Sequence, residues 1–319
     1  MESHRGRRRR ARRPGRRPFV WTALAGAVLV GGTAAGTAYV KTQAHADSGA
    51  VSSSASSAAG EEASVEPVAE PSVDRDAVLA EAMESVTLED GAATSVAVLD
   101  LASGESATSG DDAFDTASIV KVDILAALLL QAQDADRELT AQEKTYATAM
   151  IEDSDNDSAT ALWDAIGGTT GLDAANKRFG LTATAGGAGP LWGLTQTTAA
   201  DQLVLLQQVF GDDSELSTDS QTYLQGLMGA IADDQHWGVS AAATGSGDGE
   251  GSAWALKNGW LARSTTGLWD INSIGRITVD GDDYLVVALS NGNTTKAKGI
   301  SLVETVAKTA VTAFRDAES

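Results

Sequence analysis

The sequence predicts an α+β fold: one antiparallel sheet packed by terminal helices, with a helical insert between its strands. Three observations carry this. Strand patterns occupy both ends of residues 73–319, helical patterns fill the middle, and short glycine or aspartate turns separate the C-terminal strands. Consecutive strands joined by short turns are antiparallel, and segregated strands and helices are the mark of the α+β class.

The elements follow in order. Asp74–Val86 reads as an opening helix. Thr94–Leu101 alternates as a strand, and Ala102-Ser103-Gly104-Glu105 turns into a second short one. A helix begins in Asp115–Lys121, with Asp115 or Thr116 as its expected cap, and the apolar run from Val122 to Leu130 fits a buried helix. After a polar break at Ala132–Thr140, another helix runs through Met150. Residues 151–157 form a polar loop entering a further helix at Ala159–Trp163. The stretch 181–199 reads as an irregular Gly/Thr loop around Pro190. Helices follow at Ala200–Phe210, with Leu203, Val204, Leu206 and Val209 inward, and at Asp219–Asp233. A glycine-rich connector at 241–251 leads to strands at Trp254–Trp260, Leu268–Ile274 and Tyr284–Ser290, and a last helix spans Ile300–Phe314.

The two ends of the chain differ in chemistry. Residues 1–46 hold nine arginines and an uncharged run, Phe19–Val40, before Ala44-His45-Ala46. A basic start, an apolar segment and a small-residue site make an export signal, and the run is also long enough to anchor in a membrane. Residues 47–72, rich in Ser, Ala, Glu and Pro, read as a flexible spacer. The domain is then 73–319, outside the cell membrane. After residue 46 there are 13 Lys+Arg against 43 Asp+Glu, a net charge of −30 that opposes nucleic-acid binding. The arginine-rich arm is read against the membrane rather than against nucleic acid. There is no cysteine, which excludes disulfides, thiol nucleophiles and thiolate metal sites.

Ser118 and Lys121 lie three residues apart, on one face of a helix. A serine hydroxyl needs a base, and a lysine amine can serve once its pKa is lowered by burial or by a second cation. Farther on come Ser154-Asp155-Asn156 and Lys257-Asn258-Gly259. The Asp and Ser of the first of these are also ordinary helix-cap residues. A Ser-His-Asp triad is disfavoured because His236 is the only histidine after residue 46, and its neighbourhood reads as a surface or half-buried ring. The acids of 152–157 lack the glycine and closing glutamate of a calcium loop. No metal or cofactor enters this reading. Trp237, Trp254, Trp260 and Trp269 are groove candidates, with Trp254 and Trp269 read as core.

The three motifs fall in the order S-x-x-K, S-D-N, K-T-G, with K-N-G as a departure in the third, and so the chain resembles the class A β-lactamase and penicillin-binding superfamily of active-site serine hydrolases over essentially all of 73–319. The resemblance implies a set of roles. Ser118 is the nucleophile, Lys121 its base, and Ser154 the proton relay. Asn156 holds a substrate amide. Lys257 binds a substrate carboxylate and lowers the Lys121 pKa by repulsion, while Gly259 lets a ligand approach the strand. The backbone N–H groups of Ser118 and Trp260 form the oxyanion hole. Two departures qualify it. Trp260 stands where the family has a small hydroxyl residue, narrowing the site, and no glutamate occurs between Glu152 and Glu215, so the deacylating base is missing. The expectation is a monomeric, exported serine hydrolase acting on a β-lactam, peptide or ester, with weak β-lactam turnover. The alternative is a non-catalytic wall- or ligand-binding domain that retains the fold.

Overall fold

The computed structural model describes residues 73–245 and 252–317; the segments read as export signal and spacer, and most of the glycine-rich connector, lie outside them. The elements are α1 (Arg75–Met83), β1 (Ala93–Asp100), β2 (Ser106–Ser109), β3 (Phe114–Asp115), α2 (Val120–Asp134), α3 (Ala141–Glu152), α4 (Asn156–Ile166), α5 (Gly168–Phe179), β4 (Gln196–Thr197), α6 (Ala199–Phe210), α7 (Thr218–Met228), β5 (Trp254–Ala262), β6 (Trp269–Val279), β7 (Asp282–Asn293) and α8 (Lys296–Asp316). One antiparallel sheet has the order β2-β1-β7-β6-β5. The α+β reading holds, with α1 and α8 on the sheet and α2–α7 as the insert. Among the described residues no helix is long and apolar enough to cross a membrane.

The sheet is buried on both faces, and its residues sort by the two-residue period of a strand. In β1, Ala97 and Leu99 join the core shared with α2–α7, whereas Val96 and Val98 join the core under α8. Every residue of α2 from Val120 to Leu130 is buried, so this helix is the axis of the insert. Most other helices start on a side-chain cap: Asp155 accepts from Ser158 N at 2.7 Å, and Thr140 with Glu143 forms a capping box.

Helix α2 departs from the expected cap. Neither Asp115 nor Thr116 caps it; a 3₁₀ turn, Ala117–Ile119, precedes it without a side-chain cap. Asp115 is instead ion-paired to Arg263 and hydrogen-bonded by Gln196. Ser118 therefore sits in the turn, just before the α-helix begins. Two further differences are smaller. Val204 is half-buried rather than core, and the helix expected to run to Asp233 stops at Met228.

Candidate active site

The turn that carries Ser118 is held from three sides. Strand β3 pairs with β4, and Thr116 N donates to Thr195 O at 2.9 Å, which stitches the turn to the 181–199 loop. Buried Asn272, on β6, donates from Nδ2 to Asp115 O at 2.9 Å and Thr116 O at 3.0 Å. Between them Ala117 has φ 48°, a region that costs a non-glycine residue about 1–3 kcal/mol and persists only where the surroundings enforce it. The third side is β5. A Cβ added to Gly259 would lie 2.7 Å from Thr116 O, 2.9 Å from Ser118 N and 3.0 Å from Ile119 N. The absence of a side chain at Gly259 thus makes room for the chain's own turn at Ser118.

Lys121, the second residue of α2 and one turn after Ser118, is completely buried. Its Nζ lies 3.0 Å from Ser118 Oγ, 3.0 Å from Ser154 Oγ, 2.6 Å from Ser154 O and 2.9 Å from Asn156 Oδ1. An ammonium has three protons and no lone pair, so it cannot serve all four oxygens with separate bonds, whereas the neutral amine has two protons to donate and one lone pair to accept. Ser154 O accepts only; a hydroxyl such as that of Ser118 can turn its proton toward the amine. Burial lowers the Lys121 pKa to about 7, against the opposing pull of Asp155. Ser154 reaches the amine through a backbone at φ 57°, at the mouth of α4, while Asn156 opens that helix. Sequence spacing thus brings Ser118, Lys121, Ser154 and Asn156 to one point.

The third motif is placed differently from expectation. Lys257 is fully buried, its Nζ 3.4 Å from Gln235 Oε1 and 3.2 Å from Asn258 O, and it does not line the cavity beside Ser118. Burial is the main cause that lowers both amines, and repulsion between Lys121 and Lys257 adds to it at Lys257, which is held well below the usual amine range. Asn258 donates to Gln235 O at 2.7 Å and Trp237 O at 3.0 Å, so the K-N-G departure is a brace between β5 and residues 235–237. Trp260 lines the cavity, its ring 6.1 Å from that of Trp237 and 4.0 Å from Lys296 Nζ, centroid to atom. Of the other tryptophans, Trp254 is buried as read, its ring 4.5 Å from half-buried His236, and Trp269 is only partly covered.

The cavity encloses about 560 Å³, within the usual range for a small-molecule site. Ser118 and Asn156 meet it from one side, Pro190, Leu191, Trp192 and Leu194 from the 181–199 loop, and Trp260 to Thr265 from the β5–β6 hairpin. Two of these residues were not singled out from the sequence. Trp192 places its indole 5.0 Å from Lys121 Nζ and donates from Nε1 to Thr160 Oγ1 at 3.2 Å. Arg263 lines the cavity but is ion-paired to Asp115, with Asp270 at 3.9 Å. Burial raises Asp115, outweighing the guanidinium, and raises Asp270 to about 6, with Asp115 adding to it. A tryptophan beside the only proline of the domain and the first arginine after Lys257 are thin signals; only the fold converges them on Ser118. Among the described residues no cluster of acids and histidines could hold a metal ion.

A family model described as "Beta-lactamase enzyme family" matches residues 137–314, which takes in Ser154, Asn156 and Lys257–Gly259 and begins after Ser118 and Lys121. The sequence is 26% identical over 175 residues to LppW of Mycobacterium tuberculosis and of Mycobacterium bovis, whose name marks it as a candidate lipoprotein. That match covers 54% of this chain and 55% of LppW, so the chain spans about half the length of the curated relatives it matches. Among solved structures, a mutant of PBP-A in acyl-enzyme complex with penicillin G superposes with a TM-score of 0.62 at 20% identity, over 75% of this chain and 97% of that one. A β-lactamase from Xanthomonas campestris gives 0.59 at 21% identity, over 77% and 97%. A reconstructed ancestral class A β-lactamase gives 0.58 at 22% identity, over 75% and 100%. At these identities the superpositions establish the fold.

Proposed function

From its membership of the beta-lactamase enzyme family, to which residues 137–314 assign this chain, we propose that the protein is an active-site serine hydrolase acylated at Ser118. The single observation behind this is the Lys121 amine, buried, low in pKa and 3.0 Å from Ser118 Oγ. Above about pH 7 its lone pair can take the hydroxyl proton as Oγ attacks an acyl carbon. Ser154, also 3.0 Å from Nζ, can pass the proton on to the leaving atom. The Ser118 and Trp260 N–H groups are assigned the oxyanion. Asn156 is assigned the substrate amide, since it lines the cavity while its Oδ1 accepts from Lys121. The substrate is a β-lactam, a peptide or an ester.

Deacylation is slow in this reading. The 181–199 loop carries no acid, and the face of Lys121 that meets the loop is covered by Trp192. A positioned general base is typically worth about 10²–10⁴-fold. A chromogenic cephalosporin followed by stopped flow should give one stoichiometric burst and then a near-flat trace. Sustained hydrolysis at tens of turnovers per second would contradict it.

The same proposal places the domain outside the cell membrane. LppW is named as a lipoprotein, but this chain has no cysteine to carry a lipid, so the apolar run 19–40 is assigned the anchoring or export role and 47–72 the spacer. Protease added to intact cells should degrade the domain; full protection until lysis would remove the assignment.

A further inference from the structure

We propose that the Ser118 cavity takes neutral acyl donors, esters or amides bearing an aryl or alkyl group and no carboxylate. This rests on acylation at Ser118 and adds the substrate class. The reasoning is an inventory of positive charge around the cavity. Lys121 is spent on four partners inside the protein. Lys257 has no exposed surface and does not line the cavity. Arg263 is the only charged residue in the lining, and two acids already face it: Asp115 in contact and Asp270 at 3.9 Å. Two carboxylates on one guanidinium leave no net attraction for a third. Lys296 touches the Trp260 indole but is not part of the lining. The rest of the wall, Pro190, Leu191, Trp192, Leu194 and Trp260, is apolar or aromatic, and the strongly acidic domain repels anions at longer range.

In the step itself the Ser118 Oγ–carbonyl carbon bond forms and the ester C–O or amide C–N bond breaks. The serine proton passes to Lys121 and then to the departing alkoxide or amine, so no co-reactant is needed.

Benzylpenicillin and its methyl ester differ at the carboxylate alone. With the full-length protein, intact-mass spectrometry gives the acylation rate for each. The methyl ester should react at least as fast as the free acid, within about threefold. In Asp115→Asn, which releases Arg263, the acid-to-ester rate ratio should rise about tenfold, the scale of one charge-assisted hydrogen bond. In Arg263→Gln the ratio should stay at the wild-type value. A wild-type preference for the free acid above about tenfold, lost in Arg263→Gln or in Lys296→Ala, would overturn the proposal, as would an unchanged ratio in Asp115→Asn. No adduct on Ser118 with either compound would remove the acylation reading itself, a distinct result.

Discussion

The Trp192 indole lies over the Lys121 amine, ring centroid to Nζ 5.0 Å, and is fixed there by its Nε1 bond to Thr160. Under the proposed function, this pair links the low pKa of Lys121 to slow release of the acyl group. The indole covers one side of the amine: excluding water favours the neutral form while the ring face favours the ammonium, and under the proposed function the ring fills space that a hydrolytic water and a second base would need.

Replacing Trp192 by glutamate should therefore shorten the acyl-enzyme lifetime by about ten- to a hundredfold, toward the lower range of a positioned base. Trp192→Phe, which keeps an apolar cover, should stay within about threefold of wild type. The decay of the adduct mass after removal of free substrate is the readout; equal lifetimes in all three proteins would separate Trp192 from turnover.

The pH profile of acylation follows from Lys121. Only the unprotonated amine accepts the serine proton, so the rate should rise with pH and reach half its plateau near pH 7. Asp155 pulls that pKa upward, so Asp155→Asn should move the midpoint to lower pH while its amide still caps α4. A midpoint near 10, the range of an ordinary lysine, would exclude Lys121 as the base in this environment.

Gly259→Ala should act on the turn that carries Ser118. The added methyl meets three backbone atoms within 3.0 Å, and none is the tip of a flexible side chain. We expect a stability loss of about 1–3 kcal/mol by denaturant titration. Acylation should fall by about a hundredfold or more through displacement of Ser118. An alanine variant that acylates at the wild-type rate would show that β5 need not abut the turn.

Asp123, on α2, is fully buried with no hydrogen bond to either oxygen; Asn176 faces it without good geometry. Burial raises its pKa to about 8. The folded state therefore keeps a proton that the unfolded chain has lost, and raising the pH favours unfolding between about pH 4 and pH 8. The Asp123 contribution to stability should decline across that window, by at most about 1.4 kcal/mol per pH unit, and the difference between wild type and Asp123→Asn isolates it from the opposite slope of buried Lys257. Asp123→Asn should flatten the decline; parallel curves for the two proteins would refute the assignment.

Much of this was legible in the sequence. Strand periodicity located β1, β5, β6 and β7, and the first two of three short motifs named Ser118, Lys121, Ser154 and Asn156, which the fold brings to one point. The rest was hidden because it depends on the third dimension. Asp115 has the chemistry of a cap, yet it lies beside Arg263, which is far along the chain, and the ion pair takes its carboxylate. Lys257 carries a motif's charge, but its strand turns the amine inward toward Gln235. Trp192 sits in an irregular loop where neither helical nor strand period tells which way an indole points. Those are the residues on which specificity and turnover rest in this account.

The most direct measurement is intact-protein mass spectrometry after incubation with a penicillin or an activated acyl ester. Wild type should gain one adduct, mapped by peptide digestion to Ser118, and Ser118→Ala should gain none while keeping its circular-dichroism spectrum and melting temperature. An adduct of the same mass that persists in folded Ser118→Ala would contradict the account.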